Sequence, residues 1–203
     1  MVSTCTPVCD FGASAPDFSL KGTDDKIWTL RDCVGSNGLL VMFICNHCPY
    51  VKAINEKLVR DTSQLKELGI NSVAIMSNDP TDYPEDSFEN MQRVAAELGY
   101  PFPYLIDPAQ EVAQAYGAVC TPDFFGYNAG LELQYRGRLD ESGRQADAGK
   151  VRRDLFLAMN RLPQPVRALR SRWLRSDVQS NGATTRPDGL VHVGLLWAPT
   201  QMR

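Results

Sequence analysis

Residues 43–52 of this chain read Phe-Ile-Cys-Asn-His-Cys-Pro-Tyr-Val-Lys, and this stretch decides the fold. It overlaps a continuous apolar run at residues 39–44, which is typical of a strand buried on both faces. After it, apolar residues recur at helical spacing until Gly69, and Pro49 suits the first position of a helix. The pattern predicts a buried strand that leads into a helix, with Cys48 at the junction.

The rest of the chain alternates strand and helix patterns around this junction. Asp86 with Glu89 three residues later is typical of a helix start, so Glu85 and Asp86 are expected to serve that helix rather than chemistry. Residues 128–130, Asn-Ala-Gly, predict a hairpin turn. The predicted extended segments are 15–20, 27–30, 39–44, 70–76, 104–106, 123–127 and 131–136. The predicted helices lie between Pro49 and Gly69, between Asp86 and Gly99, at 109–116 and at 150–159.

The order of these elements, β-α-β-α-β-α-β-β-α, predicts an α/β protein whose central mixed sheet is flanked by helices on both faces. It is the order of a thioredoxin-like fold with the N-terminal strands and inserted helix of peroxiredoxin-type proteins. We expect residues 1–11 to form an N-terminal tail, residues 12–162 the domain, and residues 163–203 a basic C-terminal tail.

Composition narrows the class of protein further. The 203 residues are 43% hydrophobic, enough for a sizeable core, and the net charge is −3. Residues 1–135 carry 8 basic and 18 acidic side chains, whereas residues 136–203 carry 13 basic and 6 acidic ones. The first residues lack a secretory pattern and no apolar run is long enough to span a bilayer, so we expect a cytoplasmic protein that binds no membrane. Scattered aromatic residues also argue against nucleic-acid binding.

Of the six cysteines, Cys45 and Cys48 have the Cys-x-x-Cys spacing. The helix dipole and unpaired N–H groups at a helix start stabilise a thiolate, so Cys48 is expected to be the nucleophile. Cys45 is expected to resolve the disulfide or sulfenic acid formed on Cys48. His47 either adds positive charge or relays a proton, or it is an exposed histidine in a turn.

A second candidate feature lies at residues 120–122, Cys-Thr-Pro, at the entry to a strand. Pro122 is expected to be cis and to pack against the active-site cysteine in this kind of fold. Thr121 precedes it, with a backbone left open to a substrate chain. Cys120 lies either near Cys48 or in the core, and the core is favoured.

Several stretches together resemble the peroxiredoxin-like branch of the redoxin (alkyl hydroperoxide reductase/thiol-specific antioxidant) group. They are residues 15–18, 45–52, 77–79, 83–86, 103–107, 116–125 and 135–140, and the likeness extends over roughly residues 12–160. The resemblance implies a thioredoxin-like fold with Cys48 in the place of the peroxidatic cysteine.

The chain departs from both kinds of relative that this resemblance suggests. Peroxiredoxins carry a Pro-x-x-x-Thr/Ser-x-x-Cys pattern, and here Val41 and Cys45 occupy the proline and hydroxyl positions. Thioredoxins place the second cysteine three residues after the nucleophile, where this chain has Val51. The sequence therefore favours thiol–disulfide exchange over hydroperoxide reduction.

The expected partners follow from that chemistry. The substrate would be a protein disulfide or a small hydroperoxide, the electron donor would be of thioredoxin or glutathione type, and no cofactor is expected. Two alternatives stay open: a copper-binding protein that uses Cys45, His47 and Cys48, and a non-catalytic interaction domain that keeps the fold.

The resemblance also implies a C-terminus with a Ser-x-Gly-Cys-x-Ile-Lys-Trp type of motif, which this chain lacks. Plausible codons for residues 176–182, read from the third base, encode Gly-Cys-Ser-Ile-Lys-Trp. We therefore expect the chain to be out of frame from somewhere after Arg161 and the tail to be poorly ordered. The alternative is a natural basic extension that binds an acidic partner.

Overall fold

The computed structural model describes residues 9–81, 83–143 and 151–162. The strands are β1 (Ser19–Gly22), β2 (Ile27–Thr29), β3 (Gly38–Phe43), β4 (Ile70–Met76), β5 (Tyr104–Ile106), β6 (Asp123–Asn128) and β7 (Leu133–Gly137). The helices are α1 (Leu30–Cys33), α2 (Pro49–Glu67), α3 (Phe88–Leu98), α4 (Glu111–Tyr116) and α5 (Asp154–Met159), with a 3₁₀ turn at Pro84–Asp86.

The seven strands form one mixed sheet in the order β2-β1-β5-β4-β3-β6-β7. The central strands β3, β4 and β5 are parallel, whereas β6 and β7 are antiparallel and β1 pairs antiparallel with both β2 and β5. The predicted mixed sheet with added N-terminal strands is therefore confirmed.

Strand β3 is buried along its whole length because helices cover both faces of the sheet. Leu40 and Met42 point to the face covered by α2, α3 and α5, and Leu39 and Val41 point to the face covered by α1 and α4. This alternation follows the two-residue period of a strand. The continuous apolar run at residues 39–44 is thus explained by burial on both sides.

The start of α3 differs from the prediction. Ser87, not Asp86, is the N-cap, and its hydroxyl accepts the N–H of Asn90. The helix ends at Gly99, which adopts a left-handed conformation with φ of 60°. Asp86 lies in the preceding 3₁₀ turn with its side chain completely buried. The assignment of Asp86 to the helix start is therefore wrong, and its carboxylate serves another purpose.

Smaller differences concern short elements. Helix α1 was not predicted, and it forms because Thr29 and Asp32 make a reciprocal capping box. Helices α4 and α5 begin later than predicted, at Glu111 and Asp154. Among the described residues, no helix combines the length and apolar composition needed to cross a bilayer. The expected frame change and disorder of the C-terminal tail lie outside the described residues, and the domain boundaries stay predictions.

Candidate active site

Cys48 lies where the sequence predicts, at the N-cap of α2, with Pro49 in the first turn. The strand β3 ends at Phe43, and five residues connect it to the helix. The side chain of Cys48 is almost buried, with 7% of the residue exposed. The backbone N–H groups of Tyr50 and Val51 face its sulfur and lower its pKa, as the unpaired donors of a helix start do.

Cys45 lies beside Cys48 in the same connection and has no exposed surface. The Cys45 thiol donates a hydrogen bond to the Cys48 sulfur, and this bond is the largest cause of the low pKa of Cys48, which falls to about 5. The same bond, followed by burial, raises the pKa of Cys45. The two sulfurs are thus divided into a thiolate and a protonated thiol.

The segment that contains Pro122 faces both sulfurs. The Thr121–Pro122 peptide bond is cis, which confirms the prediction. The Cys48 sulfur lies 3.2 Å from the Thr121 carbonyl oxygen, to which it donates only when protonated, and the Thr121 hydroxyl lies 3.2 Å from the Cys45 sulfur. The Thr121 side chain also hydrogen-bonds Cys48 and lowers its pKa. Thr121 therefore contacts both members of the cysteine pair.

The carboxylate of Asp86 fixes the two residues between the cysteines. Its Oδ1 accepts the backbone N–H groups of Asn46, at 2.7 Å, and His47, at 3.1 Å. Its Oδ2 lies 2.5 Å from His47 Nδ1 and accepts from the Asn78 amide at 3.1 Å. An ionised carboxylate only accepts hydrogen bonds, so the four N–H groups satisfy it although it is completely buried.

The side chains of Asn46 and His47 are held as well. Asn46 donates to the Glu85 carbonyl oxygen at 2.8 Å and accepts from the Tyr104 hydroxyl at 3.1 Å. The His47 ring stacks on Tyr83 with 3.8 Å between the ring centroids. His47 is therefore a fixed member of the site, and the alternative of an exposed turn histidine is wrong.

Cys120 does not lie in the core, contrary to the favoured expectation. It is exposed and borders the same cavity as Cys48, because the turn before Pro122 runs along the surface. Partial desolvation of the sulfur, followed by the nearby Asp123 carboxylate, raises the pKa of Cys120. It is a weaker nucleophile than Cys48 at neutral pH.

A cavity of about 700 Å³ opens beside Cys48. Its walls combine apolar side chains with charged groups. Among the described residues they include Pro49, Tyr50, Ile54, Tyr83, Phe124, Arg138, Leu139 and Glu141. A space of this size can take a peptide side chain or an organic molecule next to the sulfur.

The geometry of the site does not support copper binding by Cys45, His47 and Cys48. Within the described part of the chain, Asp86 rather than Cys48 joins Cys45 and His47 in a group whose ligand-type atoms lie within 4.8 Å of one another. The Asp86 carboxylate already accepts four N–H groups, one of them from the His47 ring, so a metal ion bound by His47 Nδ1 and Asp86 Oδ2 would have to break their hydrogen bond.

Comparison with known proteins shows the family of the chain. The chain belongs to the AhpC/TSA family, whose model matches residues 11–156. It is 43% identical to an uncharacterized conserved protein from Geobacillus kaustophilus, with a TM-score of 0.71 over 79% of this chain and 87% of that one. A hypothetical protein from Sinorhizobium meliloti 1021 is 38% identical, with a TM-score of 0.72 over 76% and 85% of the two chains.

A more distant structure shares the fold alone. A thiol:disulfide interchange protein of the thioredoxin family from Chlorobium tepidum TLS is 15% identical, with a TM-score of 0.57 over 76% of this chain and 99% of that one. The fold is therefore thioredoxin-like, as expected. No curated protein matches the chain.

Sequence reasoning missed Asp86 because it lies 38 residues after Cys48, in a stretch that has the pattern of a helix start. The signal that was available is Ser87, a second candidate N-cap directly after Asp86. An acidic residue next to Ser87, which caps the helix without help, is free to point into the core.

Proposed function

We propose that this protein is a thiol–disulfide oxidoreductase in which Cys48 attacks and Cys45 resolves. The observation that carries the proposal is the difference in pKa between the two cysteines, which is lowered for Cys48 and raised for Cys45. A thiolate with a pKa near 5 stands at a helix start, and a protonated, buried thiol stands beside it. A thiolate at neutral pH is the species that attacks a disulfide.

The reaction has two steps. In the first, the Cys48 thiolate forms a bond with one sulfur of the substrate disulfide, and the other sulfur leaves as a thiolate with the electron pair of the broken bond. In the second, Cys45 loses its proton and attacks Cys48, which forms the Cys45–Cys48 disulfide and releases the remaining substrate thiolate. The substrate is reduced by two electrons and the cysteine pair is oxidised by two.

We propose a protein disulfide as the substrate, since the cavity beside Cys48 has room for a residue next to the attacked cysteine. A donor of thioredoxin or glutathione type would reduce the Cys45–Cys48 disulfide again. The cytoplasm, where such donors keep thiols reduced, is the compartment we propose.

Hydroperoxide reduction is the second activity that a Cys48 thiolate can support, because a thiolate attacks a peroxide oxygen as well as a disulfide. Its weakness here is Cys45, which stands where peroxiredoxins carry the hydroxyl that holds the peroxide. A purely structural interaction domain would have no reason to lower the pKa of Cys48.

The test compares the two substrates directly. Reduction of insulin disulfides and of hydrogen peroxide is measured side by side for the wild-type protein, for Cys48→Ser, and for Cys33→Ser as a control in a buried cysteine on the other face of the sheet. We expect disulfide reduction to be faster than peroxide reduction and to be lost only in Cys48→Ser. Activity of Cys48→Ser equal to that of the wild type would contradict the proposal.

A further inference from the structure

The resolving step raises a question about a proton. Cys45 must lose its proton as it attacks Cys48, because the thiolate is the nucleophile. Cys45 has no exposed surface, so bulk water does not reach its sulfur directly. Burial still raises the pKa of Cys45 at this stage, when Cys48 is in the mixed disulfide, and this makes spontaneous ionisation slow. A base inside the site is needed.

The described residues offer one pair of groups at the right place. The Cys45 sulfur, a ring nitrogen of His47 and a carboxylate oxygen of Asp86 all lie within 4.8 Å of one another. His47 Nδ1 and Asp86 Oδ2 lie 2.5 Å apart, so the carboxylate orients the ring and stabilises a positive charge on it. A separation of this size is longer than a hydrogen bond, so the Cys45 side chain has to turn toward the pair as it attacks.

Two other titratable groups face Cys45, and neither can be the base. The Cys48 sulfur is covalently bonded to the substrate sulfur in the mixed disulfide at this stage of the reaction. Tyr104 packs against the same region, but burial holds the pKa of its phenol well above the usual value, so it stays protonated and donates to Asn46.

We propose that the hydrogen-bonded Asp86–His47 pair is the proton acceptor for Cys45 in the resolving step, an inference that rests on the proposed function. The electron pair of the Cys45 S–H bond forms the new bond to Cys48, and the proton passes to the pair. The bond between Cys48 and the substrate sulfur breaks, and that sulfur leaves as a thiolate with its electron pair.

The proton taken from Cys45 must later pass to solvent, and the surroundings of the Asp86–His47 pair provide a route for it. Asp86 is completely buried, whereas the His47 side chain keeps 23% of its surface exposed and borders the cavity. Tyr83 stacks on the ring and fixes its plane. His47 therefore connects the buried carboxylate with solvent, and it can release the proton after the thiol product has gone.

The test separates the two steps in single turnover. The background is the full-length chain with Cys5, Cys9 and Cys120 replaced by serine, mixed with one equivalent of oxidised glutathione. Acid quenching and mass spectrometry follow the mixed disulfide on Cys48 and its conversion to the Cys45–Cys48 disulfide. In Asp86→Asn we expect the first step to stay within about twofold of the wild type and the second to slow by roughly 100-fold, the usual contribution of a general base.

A pH profile distinguishes a base from a merely structural residue. In Asp86→Asn, the rate of the resolving step should rise with pH in proportion to hydroxide, because hydroxide must then take the proton; the wild-type rate should rise less steeply. Asp107→Asn is the matched control, since Asp107 is also a buried carboxylate that accepts a backbone N–H, from Ala113. It should resolve at the wild-type rate.

A second variant covers the case in which Asp86→Asn does not fold. His47→Gln leaves the carboxylate in place and should slow the resolving step by at least about tenfold while the first step persists. Resolution at the wild-type rate in a folded Asp86→Asn or His47→Gln, or equal slowing in Asp107→Asn, would overturn the inference. Failure of the wild-type protein to form any mixed disulfide on Cys48 would instead overturn the proposed function.

Discussion

The Cys48 sulfur lies 3.2 Å from the carbonyl oxygen of Thr121, across the gap between the start of α2 and the cis-proline turn. These two segments are 73 residues apart in the chain, and the sheet brings them together because β3 and β6 are antiparallel neighbours. Register places Phe43 opposite Asp123, so the ends of both strands meet at the site. The central strand pair therefore sets the position of the reactive sulfur.

The Thr121 hydroxyl should contribute to the low pKa of Cys48. Thr121→Val removes a hydrogen bond to the thiolate, and bonds to charged groups are worth about 1.5–3 kcal/mol, so the pKa of Cys48 should rise by at least about one unit. The thiolate absorbance in the ultraviolet, followed against pH, measures this shift. Thr121→Ser keeps the hydroxyl and should leave the pKa near the wild-type value; a Thr121→Val protein with an unchanged pKa would show that the hydroxyl has no such effect.

Cys45→Ser should trap the reaction halfway. Without the resolving thiol, the mixed disulfide with the substrate should persist on Cys48 and be visible by non-reducing electrophoresis and mass spectrometry. Cys120→Ser is the control, because Cys120 borders the same cavity but has a raised pKa. It should turn over like the wild type. Rapid loss of the mixed disulfide in Cys45→Ser, prevented by the further change Cys120→Ser, would assign resolution to Cys120 instead.

Stability should depend on the ion pair that anchors the first residue of β6. Asp123 and Arg136 approach to 3.0 Å, and both side chains are only 6% exposed. Asp123→Ala leaves the guanidinium buried without its partner and should lower the free energy of unfolding by about 3 kcal/mol. Glu97→Ala breaks the exposed i,i+4 pair with Arg93 and should change it by less than about 0.5 kcal/mol. Urea unfolding measures both, and equal effects of the two changes would contradict this reading of burial.

The sequence was sufficient for the parts of the site that depend on local pattern. Cys48, Cys45 and Pro49 follow one another at a strand–helix junction, and Pro122 stands at a strand entry, so each could be placed without tertiary information. Asp86 could not, because its role depends on how the turn before α3 folds back on the loop between the cysteines. Local capping patterns compete with such long-range contacts, and Ser87 satisfied the cap by itself.

Cys120 also lies elsewhere than the sequence predicts, but it is exposed where burial is expected, whereas Asp86 is buried. The core is the favoured expectation for this residue, yet the residues before Pro122 follow the surface and leave the thiol exposed. Burial of a loop residue is set by the path of the chain between two elements, and periodicity says nothing about that path.

The rate of Cys48 alkylation as a function of pH tests the central claim most directly. Iodoacetamide reacts with the thiolate, and mass spectrometry of peptides reports each cysteine separately. Since the pKa of Cys48 is lowered to about 5, its rate should be constant through neutral pH and fall only as the pH drops through about 5. A Cys48 rate that instead rises through a midpoint near 8.5, as for an ordinary thiol, would contradict the account.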